Sequence, residues 1–581
     1  MNDGLKDEGR NHMPGNNGNA RVNVPDIMRY ESDIWAVADL LIAASVKQSD
    51  FPAYMMPFFA LMMLEGRMRN AVRRLKARYK IAEDATPPGF EELFRAENCG
   101  FNKYIVLENR TLADICQNDG GFEQDFRAYL GAFDPDMKRL LGVDRGAENQ
   151  KFLNMDGIVA ELRGKKILLQ VALKWAAIDL SPYDNSAITT LEEHIKRRWA
   201  DISASTAGEQ YTPDDIISLI SEIIAEMMAK PKGEFAHIYD PTCGGANLLF
   251  GIEDRLREKG YKRIATYGSE YNDALYALAA IEAMFRGQSR IRYGNTLTTV
   301  PFGDMQFDAI GANPPYGTPW KGFASEIRND QRGQFAGGLP STGDGQLLFM
   351  QHILWQLDPN DGIAVVVADG STLFSGDAGG GESNIRKYAF DRDWVEAIIQ
   401  MPQQEFFNTG ITTYLWVFNK HKKTERQNLV ALIDASKGWA PLKKSKGDKR
   451  REMTAENRAA VIAALRDFRP SEICKIFDRE HFYYNKQQVL FTETGADGKP
   501  LKKKRKDYEI IPHRFDAAAN AAEIDAFVKK YIFKPCELGE NKVGVEINFN
   551  KEFYVPEKLE SVEDILAEIK ALDAEMKEVE L

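Results

Sequence analysis

Asn313, Pro314, Pro315 and Tyr316 follow the apolar run Ala309 to Ala312, and few chemistries suit that combination. Asn313 offers a side-chain carbonyl acceptor, and Pro314 a backbone carbonyl without an N–H. Two acceptors so placed take hydrogen bonds from both protons of an exocyclic NH₂ such as adenine N6. They reduce delocalisation of its lone pair into the ring and leave the nitrogen a usable nucleophile. Tyr316 supplies a ring on which a base drawn out of a duplex can stack, a contact worth about 1–3 kcal/mol. The competing reading is structural, a proline-stiffened turn closed by a buried tyrosine. Phe307 to Ala312 is short, apolar and stopped by prolines, so it reads as a buried strand with Asn313 at its carboxyl end. Open α/β sheets bind ligands at that end.

A second group of residues precedes it. In Tyr211-Thr212-Pro213-Asp214-Asp215, Thr212 reads as an N-cap, Pro213 as the first helical residue, and the acids suit the helix's positive end. Ile216, Ile217, Ile220, Ile223, Ile224, Met227 and Met228 recur at helical steps and give one broad apolar face. Phe235 to Tyr239 reads as a strand, followed by Asp240, Pro241, Thr242, Cys243, Gly244, Gly245 and Ala246 before a helix. Glycines there let backbone approach a ligand, but neither G-x-G-x-x-G nor a P-loop lysine is present, so phosphate binding is not implied. Asp240 suits a cationic group such as an amino-acid ammonium. Glu270, at the end of the next strand, can accept both hydroxyls of a ribose. Asn295 can pair with an adenine edge. In this order, with Asn313 on the fourth strand, the residues point to a nucleoside carrying an amino-acid tail, S-adenosylmethionine.

The elements that must hold these residues predict an α/β fold, with helices alternating with buried strands from the Thr212 helix onward. A chain of 581 residues, 44% of them hydrophobic, can bury several cores, and three or more structural units are expected. Residues 1–25 read as a disordered tail, 26–185 as an α-helical domain, 186–436 as the catalytic sheet, 437–550 as a basic, hairpin-containing extension and 551–581 as a terminal helix. The net charge of -11 is unusual for a protein that holds DNA alone. It calls for local basic patches or a partner that supplies phosphate contacts. Basic runs lie at Arg67 to Arg78, Lys420 to Arg426, Lys443 to Arg451 and Lys502 to Lys506; the first reads more readily as a solvated helix face than as a phosphate contact. Five scattered cysteines without a C-x-x-C pair argue for a reducing compartment. With no leader-like start and no run of about eighteen apolar residues, the expectation is a cytoplasmic protein without membrane contact. Isolated histidines and the absence of H-E-x-x-H imply no metal, and Cys536 after Pro535 reads as structural.

The order of these motifs resembles that of N6-adenine DNA methyltransferases, and specifically the modification subunit of type I restriction-modification systems. The resemblance covers most of the chain. It rests on Tyr211 to Pro213, Asp240 to Gly245 and Asn313 to Tyr316, then on Asp361 to Val367, Glu396 to Pro402, Phe406-Phe407-Asn408-Thr409-Gly410 and Leu429 to Ser436. It implies a Rossmann-like, S-adenosylmethionine-dependent methyltransferase sheet with an N-terminal helical domain and a C-terminal helix. Tyr211, Thr212, Pro213, Asp240, Pro241, Cys243, Gly244, Gly245, Glu270 and Asn295 are then the cofactor site, and Asn313, Pro314, Pro315 and Tyr316 the catalytic one. The implied partners are double-stranded DNA, a DNA-specificity subunit that binds two modification subunits, and a restriction/translocase subunit. Two positions depart from the family: Ala246 where a third glycine is usual, and Asn295 where Asp is common. Alanine does not adopt positive φ cheaply, so a site that needs it there loses cofactor affinity.

An amide NH₂ poses the same problem as adenine N6, so methylation of a protein glutamine or an RNA base is the first alternative. A non-catalytic assembly subunit, for which Ala246 is the hint, is the second. At the C-terminus, Leu559, Val562, Ile565, Leu566, Ile569, Leu572 and Met576 form one apolar stripe on a charged helix. It predicts either packing against the chain itself or docking on a partner.

Overall fold

The computed structural model describes residues 26–98, 100–144, 152–183, 187–188, 191, 212–228, 235–407, 409–446, 448–493, 504–554, 565–570 and 572. Tyr211, Asn408 and the expected tail lie outside them. The chain divides into two units, Met1–Thr372 with Gly379–Arg479, and Leu373–Ala378 with Glu480–Leu581.

The strands of the first unit are β1 (Phe235–Asp240), β2 (Arg263–Glu270), β3 (Ser289–Tyr293), β4 (Ala309–Ala312), β5 (Ile363–Asp369), β6 (Val395–Gln400), β7 (Thr413–Asn419), β8 (Leu429–Asp434), β9 (Ala440–Lys446), β10 (Lys449–Glu452) and β11 (Cys474–Asp478). All but β9 and β10 form one sheet in the order β11-β8-β6-β7-β5-β4-β1-β2-β3. Pairing is parallel except where β7 meets β5 and β6, and where β11 meets β8. The chain runs outward from β1 through β2 to β3, then returns to lay β4 on the other side of β1. That reversal opens a crevice at the carboxyl ends of β1 and β4, where Asp240 and Asn313 stand.

β4 is buried at all four residues, as its apolar run predicts. It begins at Ala309 because Phe307 makes only an isolated bridge to Leu357. Helices Asp214–Met227 and Asn247–Glu258 pack so closely on this strand that a Cβ on Gly311 would lie 2.4 Å from Ile252 Cδ1. The helix after Thr212 starts at Asp214 with Pro213 as its N-cap and no side-chain capping bond. The expected Thr212 cap is therefore corrected; its hydroxyl is taken by Asn313 instead.

The N-terminal helices share a core centred on helix Phe51–Tyr79, and Tyr276, Ala277, Leu278 and Ile281 of helix Asp273–Met284 belong to that core. Arg67 on the long helix pairs with Glu282 at 2.7 Å, and both are buried. Arg69 reaches Asp179, Arg73 reaches Ser181 and Arg78 reaches Glu97. Arg67 and Lys76 are buried, whereas Arg73, Arg74 and Arg78 are exposed, so the run is divided between the interior and the solvated face expected of it.

The boundary expected after residue 436 falls inside the first unit. Helix Ala455–Asp467 buries Val461 and Leu465 against the β6–β8 part of the core, and β11 pairs with β8. The antiparallel β11 covers what would otherwise be an open edge, so the sheet ends at Asp478. The second unit holds β12 (Tyr483–Phe491), β13 (Arg505–Pro512) and β14 (Cys536–Val545), antiparallel in the order β13-β12-β14, with helix Ala517–Tyr531. The β12–β13 pair is the expected hairpin; its connecting residues 494–503 lie outside the described set. Residues 565–570 and 572 are helical, and Ile565, Leu566, Ile569 and Leu572 are exposed. Leu559, Val562 and Met576 are outside the described residues. Among the described residues no helix is long and apolar enough to cross a membrane.

Candidate functional site

A cavity of about 650 Å³ opens at the carboxyl edge of the sheet, within the usual range for small-molecule sites. Its walls include Pro241, Thr242 and Gly244 after β1, Glu270 to Asp273 after β2, Tyr293 to Leu297 after β3, and Asn313 and Pro315 after β4. Residues from four consecutive strand ends, separated by up to seventy-odd positions in the chain, are thereby gathered at one opening.

Glu270 organises one side. One carboxylate oxygen accepts the Gly244 N–H at 2.8 Å, and the other accepts those of Tyr271 and Asn272, each at 2.7 Å. Three backbone donors fix the carboxylate on two loops at once, and each oxygen has lone pairs in directions a ligand hydroxyl can approach. Gly244 has φ +53°, which glycine adopts without strain. Ala246 follows at φ +67° as N-cap of helix Asn247–Glu258, fully buried. The position that departs from the family's glycine does require the left-handed conformation.

Asp240 is 2% exposed and is not a wall of the cavity. Its Oδ1 accepts the Thr242 N–H at 2.9 Å, shaping the loop from behind. Burial pushes its carboxyl up to about 7, against the Thr242 bond, and the nearby Glu270 charge adds to the rise. Cys243 is buried behind the same loop, its thiol pushed up by burial. Asn295 Oδ1 accepts the Leu297 N–H, and Asn295 lines the cavity.

Asn313 is 7% exposed and lines the cavity. Its Nδ2 donates to Thr212 Oγ1 at 2.9 Å, which sets the amide's orientation, and its Oδ1 accepts the Tyr316 hydroxyl at 2.6 Å. Tyr316 itself is 8% exposed, meets Phe406 edge-on with centroids 6.4 Å apart, and is not a cavity wall. The ring expected to receive a base is turned inward here, because the Asn313 oxygen and Phe406 hold it. Pro314 is buried and Pro315 half-buried.

Other neighbours lie outside the expected site residues, although the polar, glycine-rich run Gly317 to Gly345 reads from the sequence as a lid or binding segment. Trp320 and Phe323 wall the cavity from the glycine-rich run after Tyr316. Trp320 is buried with Leu297, Ile327 and Leu348, so this run is built as wall. An aromatic inside a polar, glycine-rich stretch was the available signal. Lys449 lies in a basic run yet is buried between Asp215, at 2.9 Å, and Glu405, at 2.6 Å. Burial and the adjacent Asp215 push the Glu405 carboxyl up. At the opposite edge of the sheet Asp308, Asp358 and Asp361 cluster, but Asp308 caps the His237 N–H and Asp358 the Asn360 N–H, which is turn-forming work.

A mainly parallel α/β sheet with a nucleoside-sized cavity at its switch point, a ribose-competent carboxylate on β2 and an oriented amide on β4 defines the class of Rossmann-like group-transfer enzymes. Residues 185–495 match the N-6 DNA Methylase family, and the chain belongs to that family. The HindI type I restriction enzyme methylase subunit of Haemophilus influenzae is 27% identical over 362 residues, 58% of this chain and 76% of that one. The MpnII type I methylase subunit of Mycoplasma pneumoniae is 27% identical over 331 residues, 52% of this chain and 59% of that one. Among solved structures, the type I restriction-modification methyltransferase subunit of Streptococcus thermophilus superposes with a TM-score of 0.57 at 19% identity, over 79% of this chain and 97% of that one. A modification subunit of a type I restriction enzyme from Vibrio vulnificus superposes with a TM-score of 0.52 at 16% identity, over 83% and 96%. These two share the fold.

Proposed function

We propose that the chain is the modification subunit of a type I restriction-modification system and methylates adenine N6 at specific sites in double-stranded DNA. The observation that carries the reading is Asn313, an amide oriented by Thr212 at the wall of the cavity and followed directly by the Pro314 carbonyl. S-adenosylmethionine supplies the electrophilic methyl group, and the cavity's chemistry suits it. Glu270 offers carboxylate oxygens to ribose hydroxyls, and Gly244 and Pro241 bring backbone to the ligand. Asn295, Tyr271 and Phe323 offer a polar edge and aromatic faces to a purine. Asp240 is a positioning residue, acting through the Thr242 turn.

Asn313 Oδ1 and Pro314 O would accept hydrogen bonds from the two amine N–H groups and limit delocalisation of the nitrogen lone pair into the ring, leaving it free for the methyl group. The proton released on N-methylation leaves to solvent through the open cavity. Tyr316 exchanges its bond to Asn313 for a face-on contact with the extruded base. The exposed apolar residues of the C-terminal helix, Ile565, Leu566, Ile569 and Leu572, support docking on a DNA-specificity subunit, two modification subunits to one.

Tritiated methyl incorporation into DNA, RNA and protein, run in parallel on the chain with its specificity subunit, tests this reading. Label in DNA N6-methyladenine is expected; label confined to RNA or protein moves the substrate, and no label supports an assembly role. Asn313→Ala should lower transfer by about 10²–10³-fold with cofactor affinity unchanged in calorimetry. Near-normal turnover in that variant removes Asn313 from the chemistry.

A further inference from the structure

The run from Ala440 to Glu452 carries six basic residues against two acidic ones in a chain of net charge -11. It forms the β9–β10 hairpin, which leaves the carboxyl end of β8 and so stands on the same edge of the sheet as Asn313. The hairpin is fastened to that edge by backbone as well as by charge. Asp448 N donates to Phe407 O at 2.9 Å and Arg450 N to Gln404 O at 3.0 Å. Between these two bonds Lys449 is driven inward onto Asp215 and Glu405. The loop it grips carries Phe406, which touches Tyr316, which bonds Asn313. Three contacts therefore separate the hairpin from the residue that would hold the target amine.

The outward side of the same element is different. Lys437, in the turn before β9, and Lys443 and Arg450 are exposed, and none has a carboxylate partner among the described residues. The Arg451 guanidinium carbon lies over the Trp439 ring, 4.0 Å from its centroid. In the basic run of helix Phe51–Tyr79, Arg67, Arg69 and Arg78 each pair with an acid of the chain; Lys437, Lys443 and Arg450 do not among the described residues. Exposed cations without carboxylate partners, on the same sheet edge as Asn313, have the chemistry of phosphate contacts.

We propose that the β9–β10 hairpin and the turn before it form a phosphate-contacting arm, in which Lys437, Lys443 and Arg450 grip the strand that flanks the extruded base while buried Lys449 fixes the arm to the target site. This rests on the DNA-methyltransferase reading and adds to it the surface along which the duplex lies. The arm is sequence-independent, since lysine and arginine contacts to phosphate carry no base information.

The test is duplex affinity of the full-length chain, measured by fluorescence anisotropy on a labelled non-specific duplex between about 50 and 200 mM salt. Replacing Lys437, Lys443 and Arg450 together by Ala should reduce the slope of log affinity against log salt by about 2–3, near 0.9 for each lost contact. Affinity at low salt should fall by at least about tenfold. Lys437→Arg, Lys443→Arg and Arg450→Lys together should keep the wild-type slope, and cofactor affinity should be unchanged in both variants. An unchanged slope in the triple alanine variant, as expected if these cations instead meet a protein partner's acids, overturns the arm and leaves the methyltransferase reading standing. A wild-type chain with no duplex affinity at low salt also overturns the arm. Absence of methyl transfer to DNA by the assembled enzyme overturns the parent reading separately.

Discussion

The Tyr316 hydroxyl donates to Asn313 Oδ1 at 2.6 Å, and so occupies the acceptor that an adenine amine would use. A substrate amine would have to displace this phenol, and the exchange costs one buried hydrogen bond, a net of about 0.5–1.5 kcal/mol. Tyr316→Phe should remove that cost yet keep the ring. We expect kcat within a few-fold of wild type and an unchanged or lower KM for DNA. Tyr316→Ala should forfeit stacking and lose about 10–100-fold in kcat/KM. If the two variants lose activity equally in steady-state assays, the hydroxyl takes part in transfer rather than competing with it.

Asp240 gives the unliganded chain a pH-dependent stability. Its folded-state carboxyl lies near 7 because of burial, above its ordinary value of 3.8. The folded state therefore holds the proton more tightly than the unfolded chain does. Stability is fullest below the unfolded value, declines as pH rises toward 7 and levels off above it, a loss of up to a few kcal/mol. Asp240→Asn should flatten this portion of a denaturation-versus-pH series; an unaltered profile would falsify the assignment.

Ala246 pays for a left-handed backbone with a buried methyl group, and the two effects nearly offset. Ala246→Gly should lie between neutral and about 1 kcal/mol more stable, with tighter cofactor binding where the loop must adjust. Ala246→Val adds volume at a fully buried site and branching at positive φ, and should cost about 1–3 kcal/mol. Chemical denaturation and calorimetry with S-adenosylmethionine read both effects. A Val variant as stable as wild type contradicts the strain argument.

Lys449 holds two carboxylates, and the outcome of mutation should depend on which member is removed. Lys449→Met leaves Asp215 and Glu405 facing each other in a buried place, at a cost of roughly 3–5 kcal/mol. Glu405→Gln should cost less than about 1 kcal/mol at neutral pH, because burial and Asp215 already favour the neutral acid. Equal destabilisation of the two variants in urea melts refutes this division of roles.

Strand positions and the Asn313 terminus were legible because apolar runs stopped by Pro or Gly leave little freedom. Glu270 was legible as the end of a strand, but its bond from the Gly244 N–H was not, since that donor stands on another loop that only the sheet brings beside it. The same holds for Thr212. A threonine before Pro and Asp satisfies every local rule for an N-cap, and only a residue 101 positions away claims its hydroxyl. Lys449 is the sharper case. In sequence it is one more charge among Lys443 to Arg451, and burial of that member alone depends on where Asp215 and Glu405 stand. The sheet edge after 436 was missed because β11 is short and antiparallel and arrives after a helix, so no periodicity links it to β8.

The Arg67–Glu282 pair bears on how the protein can be cut. Tyr276, Ala277, Leu278 and Ile281 are buried among the N-terminal helices, while their own helix carries β2 into β3. Deleting the first 185 residues would strip that cover and leave Glu282 without Arg67, its 2.7 Å partner. Glu282 keeps Arg286 at 3.2 Å, but uncovering Leu278 and Ile281 costs about 1.5–3 kcal/mol for each side chain, a large fraction of an ordinary domain's stability. A minimal catalytic fragment beginning at the family match should therefore be markedly less stable than the whole chain. The helical region and the cofactor sheet should melt in one cooperative transition, because one buried apolar surface belongs to both.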